Sequence, residues 1–143
     1  MPLNAAVNAK TKTYILDSFA LLAYLGGEAG GDQVSELLDA ARRQEVRLLL
    51  PLVNLGEIAY IIERSRGLEA AHLALATLEQ QAIEMIAADK KAILAAAHIK
   101  ANHPLSYADA FVVAAAMEHD AAVVTGDPEI LAIEPLIQTE SLA

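Results

Sequence analysis

Four acidic residues stand inside or directly beside apolar runs, where an ionised carboxylate is energetically costly. None of them has a Lys or Arg as a sequence neighbour, so no adjacent cation compensates the charge. A buried carboxylate must be paired, protonated or bound to a metal ion, and several converging on one cleft would repel each other without a divalent cation. The residues are Asp17 after Tyr14-Ile15-Leu16, Glu57 before Ile58-Ala59-Tyr60-Ile61-Ile62, Asp109 before Ala110-Phe111-Val112-Val113, and Asp127 after Val123-Val124-Thr125-Gly126.

Three of these acids also have an ordinary structural explanation. Asp17 follows a predicted strand and is suited to cap the helix after it. Ser106-x-x-Asp109 has the spacing of a capping box, although the apolar helix that follows indicates deep burial. Asp127-Pro128 is by itself a good turn sequence.

Glu57 is the acid least easily explained by local structure. On a helix its neighbours three and four positions away include only two polar partners, Asn54 and the Tyr60 hydroxyl. A purely structural Glu57 would therefore be exposed or bonded to one of these two. Each acid alone is weak evidence for a functional site, whereas four of them at one place are stronger evidence.

The elements that must position these acids alternate between short apolar strands and longer helical patterns. This alternation predicts an α/β fold with a mostly parallel sheet between layers of helices. In such folds functional groups gather beyond the carboxyl ends of the strands. Asp17 and Asp127 follow strand ends, Asp109 lies in a first helical turn, and Glu57 is about 9 Å into a helix at 1.5 Å per residue. The predicted strands are Tyr14–Leu16, Arg47–Leu50, Ile83–Ala87, Ala122–Thr125 and Leu136–Gln138. The predicted helices are Ser18–Leu25, Asp32–Arg43, Leu52–Ser65, Leu68–Glu79, Lys90–Lys100 and Tyr107–Glu118.

The length of 143 residues predicts one domain, with residues 1–12 as a flexible arm and residues 13–143 as the folded unit. The chain contains no cysteine, which excludes disulfides, thiolate nucleophiles and zinc–thiolate sites. The first residues lack the apolar core of a signal peptide, and no apolar run reaches the length of a membrane span. These features predict a soluble cytoplasmic protein that does not associate with a membrane.

The formal net charge of −9 argues against a protein that coats nucleic acid, because phosphate contacts need Lys and Arg. It does not exclude an enzyme that acts on nucleic acid, since metal ions bound to the four acids would cancel part of the charge locally. Substrate contacts would then fall to local basic pairs: Arg42 with Arg43, Arg64 with Arg66, and Lys90 with Lys91.

The four acidic segments together resemble those of PIN domains, particularly the VapC-like toxin ribonucleases. The resemblance runs in the right order from about residue 13 to 138. It is carried by Leu16-Asp17-Ser18, by Asn54-Leu55-Gly56-Glu57-Ile58, by Leu105-Ser106-Tyr107-Ala108-Asp109-Ala110 and by Thr125-Gly126-Asp127-Pro128. Each motif alone is loose, while the ordered set is fairly specific.

This resemblance implies a three-layer α/β/α sandwich and a divalent-metal-dependent endoribonuclease. It implies that Asp17, Glu57, Asp109 and Asp127 hold Mg²⁺ or Mn²⁺, and that Ser18 and Thr125 assist through their hydroxyls. It further implies a toxin that cleaves an RNA substrate, is neutralised by a cognate antitoxin protein and forms a homodimer.

Two other interpretations remain. The first is a catalytically silent interaction module on the same fold that binds a protein partner; the four intact acids argue against it. The second is a HAD-type phosphotransfer enzyme, which needs Asp-x-Asp after the first strand. Phe19 occupies the position of the second acid in that motif, which disfavours the HAD interpretation.

Overall fold

The computed structural model describes residues 11–142 and is built around a parallel sheet of five strands. The strand order is β3-β2-β1-β4-β5, so the first strand lies in the centre of the sheet. Neighbouring strands pair in parallel throughout, with Ile15 opposite both Leu49 of β2 and Val123 of β4. The strands are β1 (Lys12–Leu16), β2 (Val46–Pro51), β3 (Ile83–Ile86), β4 (Ala122–Thr125) and β5 (Thr139–Ser141).

Seven helices connect these strands within the described residues. Polar side chains cap several of them: Asp89 and Ser106 each accept a hydrogen bond from a backbone N–H of the first helical turn. The helices are α1 (Ser18–Gly26), α2 (Gly31–Arg42), α3 (Leu52–Arg66), α4 (Leu68–Glu79), α5 (Lys90–Asn102), α6 (Tyr107–His119) and α7 (Pro128–Leu131).

The sheet separates two apolar cores because successive residues of a strand point to opposite faces. On one face Ile15 and Val123 pack with buried residues of α5 and α6. On the other face Leu16 and Val124 pack with α1, α2, α3 and α4. The predicted three-layer α/β/α sandwich with a parallel central sheet is therefore confirmed.

The strand order creates a crevice between β1 and β4. From β1 the chain passes first to β2 and β3 on one side, and later to β4 and β5 on the other. The connections that leave the carboxyl ends of β1 and β4 thus run to opposite sides, which makes this the topological switch point where open α/β sheets bind ligands. Asp17 follows β1 and Asp127 follows β4, so two predicted site residues flank this crevice.

The prediction of a last strand at Leu136–Gln138 is wrong. The strand β5 is Thr139–Ser141, and its ladder with β4 pairs Val123 with Thr139 and Thr125 with Ser141. The apolar signal came from Ile137, whose side chain is buried in the core next to α6 while its backbone still lies in a turn region. An edge strand needs no apolar side chains on its open side, so three polar residues form it instead.

Residues 1–10 of the predicted N-terminal arm lie outside the described residues, and Lys12 already belongs to β1. Across the part of the chain that the structure describes, no helix is long and apolar enough to cross a membrane.

Candidate functional site at the carboxyl ends of β1 and β4

Asp17 is held in place by the two elements that it joins. The residue is only 1% exposed, at the end of the central strand β1. Its Oδ1 accepts a hydrogen bond of 2.8 Å from the backbone N–H of Ala20, which caps α1. Its Oδ2 accepts a hydrogen bond from the Thr125 hydroxyl at the end of β4. The capping function and the crevice position therefore coincide in one carboxylate.

Thr125 connects Asp17 to Asp127 across the crevice. The Thr125 side chain is fully buried, and its hydroxyl donates a hydrogen bond to Asp17. The same oxygen, Oγ1, accepts a hydrogen bond of 2.9 Å from the backbone N–H of Asp127. Asp127 is half-buried and caps the short helix α7, since its Oδ1 accepts from the N–H of Glu129 at 2.9 Å. The Thr125 hydroxyl thus sets the spacing between these two acids.

Glu57 enters the same region from α3 and is bound by the first residue of α1. The Ser18 hydroxyl donates to Glu57 Oε1 at 2.5 Å. Asn54, one turn earlier on α3, donates from Nδ2 to Ser18 Oγ at 3.4 Å and to the carbonyl of Ala108 at 3.5 Å. Glu57 is half-buried and pairs with Ser18, so its polar contact is neither of the two local partners considered from the sequence.

Asp109 reaches the region from the first turn of α6. Its backbone N–H donates to the Ser106 hydroxyl at 3.1 Å, which fixes the start of the helix. The Lys100 ammonium donates to the carbonyl of Leu105 at 2.6 Å and so ties the end of α5 to the segment that precedes Asp109. The apolar remainder of α6, buried from Ala110 to Ala116, anchors this carboxylate against the sheet.

The four acids are near enough to influence one another electrostatically. Burial raises the pKa of Asp17 to about 6 against the bonds from Thr125 and Ala20, and the charges of Asp127 and Glu57 raise it further. Burial also raises the pKa of Asp109 to about 7, and the neighbouring charges of Asp127 and Glu57 add to this effect. The charges of Asp127 and Glu57 thus act on both Asp17 and Asp109, and we call the region of these four acids the acidic edge.

No cation of the protein compensates the acidic edge within residues 11–142. The ion pairs there join Lys12 to Glu140, Arg42 to Asp39, Arg43 to Glu45, Arg47 to Glu84 and Lys91 to Glu118. None of them includes one of the four acids. At the same time, no three Asp, Glu or His side chains among the described residues are arranged so that they could hold a metal ion. The carboxylates lie in one region, but their present positions do not form a metal-coordination site.

Asn54 is the residue of this region that sequence reasoning undervalued. Its side chain is 0% exposed and connects α1, α3 and α6, yet its Oδ1 has no hydrogen-bond partner. The available signal was the spacing Asn54-x-x-Glu57, which places both side chains on one face of α3. The sequence alone does not show that the amide would contact Ser18, 36 positions earlier, in preference to Glu57.

Comparison with known proteins gives a family match for the sequence. The profile of the family described as PIN domain matches residues 14–134. No curated protein sequence gives a significant match.

Several solved structures share the fold at low sequence identity. VapBC2 from Rickettsia felis, bound to a DNA fragment from its promoter, superposes with a TM-score of 0.73 at 16% identity, covering 92% of this chain and 99% of that chain. DNA-bound VapBC from Salmonella typhimurium gives a TM-score of 0.71 at 17% identity, covering 93% of this chain and 100% of that chain. VapC20 from Mycobacterium tuberculosis, a toxin that cleaves the sarcin–ricin loop, gives a TM-score of 0.69 at 19% identity. The match covers 85% of this chain and 95% of that chain.

Proposed function

Because this chain belongs to the PIN domain family, we propose that it is a divalent-metal-dependent endoribonuclease and the toxin of a toxin–antitoxin pair. The proposal rests mainly on the uncompensated charge at the acidic edge. Four carboxylates lie at the switch point of the sheet, none of them ion-paired among the described residues, and two of them have raised pKa values. Holding one buried and three half-buried acids together in this way destabilises the fold, which favours a functional reason for their presence.

The donor set fits a hard divalent cation such as Mg²⁺ or Mn²⁺. Asp17, Glu57, Asp109 and Asp127 offer only oxygen atoms, the ligands that these ions prefer. The residues proposed to hold the ion are these four, and they would need to move their carboxylates closer together than they are here. When bound, the ion would activate a water and stabilise negative charge on the phosphate.

The chain's own residues would orient the reactants. The Thr125 hydroxyl and the Ala20 N–H hold both oxygens of Asp17, so this carboxylate has a fixed direction in the crevice. The Ser18 hydroxyl restrains one oxygen of Glu57, Oε1. A restrained carboxylate can accept a hydrogen bond from a water and align it for in-line attack on phosphorus, with a proton acceptor already in place. Since water is the nucleophile, the expected products carry a 5′-phosphate and a 3′-hydroxyl.

The proposed partners are an RNA substrate, an antitoxin protein and a second copy of this chain. Two of the similar structures are VapBC assemblies bound to DNA, and VapC20 is described as a toxin. We extend these roles to this chain as part of the proposal, and with them action in the cytoplasm.

A catalytically silent interaction module is the alternative function. One observation favours it: among residues 11–142 no set of three acidic or His side chains is ready to hold a metal ion. In that case the acids would serve a protein partner, and no cleavage would be observed with any metal.

RNA cleavage by purified wild type and Glu57→Gln tests the proposal, each with Mg²⁺, with Mn²⁺ and with EDTA. We expect metal-dependent cleavage in the wild type and its loss in Glu57→Gln. Glu63→Gln is the matched control, because Glu63 is an exposed carboxylate on the same helix and belongs to none of the ion pairs among the described residues. Cleavage that survives both EDTA and Glu57→Gln would refute the assigned site. Absence of cleavage together with absence of Mg²⁺ binding would favour the silent module.

A further inference from the structure

Phe19 presents an aromatic ring at the acidic edge. It follows Asp17 and Ser18 in the first turn of α1, and its side chain is 45% exposed. Large apolar side chains are usually turned inward when the helix offers a buried face, and α1 buries its neighbours Ser18 and Ala20 instead. The exposed position of the ring calls for an explanation.

The ring lies directly against the backbone that carries Asp127. A Cβ added at Gly126 would stand 2.3 Å from Cε1 and 2.6 Å from Cζ of Phe19, so a larger residue at this position would force the ring to shift. Gly126 joins Thr125 to Asp127. The Cδ1, Cε1 and Cζ atoms of Phe19 thus lie against the backbone between Thr125 and Asp127, while a large part of the ring stays open to solvent.

Few basic side chains of the described residues are available to hold RNA by its phosphates. Five of the nine are paired with acids, and Lys100 donates to the Leu105 carbonyl, which leaves Arg64, Arg66 and Lys90 outside these contacts. The whole chain carries a net charge of −9. Electrostatic attraction to phosphate is the usual source of affinity for nucleic acids, and here it is weak. An RNA substrate needs a contact that is independent of charge.

We propose that Phe19 is a substrate-contacting residue that stacks on an unpaired base of the RNA beside the bond to be cleaved. This inference depends on the proposed ribonuclease function. Stacking between a base and an aromatic ring does not require a positive charge on the protein. It also accepts any base, because every base has a π-face. Paired bases inside a duplex are already stacked, so the contact selects unpaired segments. The contact with Gly126 limits the movement of the ring on one side and so lowers the entropy lost on binding.

The test compares steady-state cleavage by wild type, Phe19→Ala, Phe19→Leu and Phe19→Tyr. The substrate is a short single-stranded RNA that the wild type cleaves, selected from a random-sequence pool. We expect KM to rise about 5- to 150-fold in Phe19→Ala, the range that loss of one stacked base produces, with a smaller change in kcat. Phe19→Tyr should retain the wild-type KM, and Phe19→Leu should resemble Phe19→Ala, because leucine fills space without a π-face. Leu73→Ala is the control, since Leu73 is 71% exposed on α4 and takes no part in the site.

A second measurement separates binding from chemistry. Fluorescence anisotropy of the labelled RNA measures the Kd of Glu57→Gln and of the double variant Glu57→Gln/Phe19→Ala. The double variant should bind more weakly by the same factor as the rise in KM. Annealing the complementary strand to the RNA should abolish this difference in Kd. An unchanged KM in Phe19→Ala, in an enzyme that cleaves, would overturn the stacking function and leave the proposed ribonuclease function intact. A wild type that neither cleaves nor binds RNA would overturn the proposed function and this inference together.

Discussion

Asp17→Asn should stabilise the protein at neutral pH in the absence of divalent metal. The replacement keeps the size of the side chain and its capacity to cap α1. What it removes is a charge that burial and the neighbouring acids disfavour. The pKa of Asp17 is raised from 3.8 to about 6, and this difference corresponds to about 3 kcal/mol at neutral pH.

The sign follows from proton binding. Between pH 3.8 and about 6 the folded protein holds a proton on Asp17 that the unfolded chain has released. Stability therefore decreases as the pH rises through this window, and the full penalty is present above it. The advantage of Asp17→Asn over the wild type should grow by about 2 kcal/mol between pH 4 and pH 7.5, because a small part of the penalty is already present at pH 4. Any change in the bond to Thr125 adds a constant that does not depend on pH.

Urea unfolding at a series of pH values in EDTA measures this difference. Glu63→Gln serves as the control for loss of one exposed negative charge. A difference between Asp17→Asn and wild type that stays constant from pH 4 to pH 7.5 would refute the argument, because burial would then not disfavour the ionised form of Asp17.

Two further predictions concern the same carboxylates. Thr125→Val leaves Asp17 and the N–H of Asp127 without their shared partner, so it should cost about 1–3 kcal/mol. Because the Thr125 hydroxyl lowers the pKa of Asp17, the pH dependence of urea unfolding should also move to higher pH; a purely steric effect would leave it in place. Mg²⁺ at about 100 times its Kd should stabilise the wild type by about 2.7 kcal/mol, seen as a rise in Tm. The rise should be much smaller in Asp17→Asn and unchanged in Glu63→Gln, and an equal rise in all three would place the ion elsewhere.

Much of the fold was predictable because local patterns and the global arrangement agree. Short apolar runs alternating with amphipathic helices indicated the parallel sheet, and the caps at Asp89 and Ser106 follow from residue type and spacing. The last strand was predicted wrongly because the local pattern and the global arrangement disagree there. Ile137 is apolar because it fills the core, while strand formation at Thr139–Ser141 depends on an open edge of β4 that the local sequence does not reveal.

For the acidic edge, too, some features could be predicted from the sequence and others depend on the tertiary structure. The sequence by itself determined which acids are unusual, since Asp17, Glu57, Asp109 and Asp127 interrupt or border apolar runs without an adjacent cation. Only the tertiary structure decided how they are held. The bond from Thr125 to Asp17 spans 108 positions, and that from Ser18 to Glu57 spans 39. The physical reason is that pattern and propensity act over one or two turns, whereas a contact between distant side chains exists only after parallel strands have aligned their carboxyl ends.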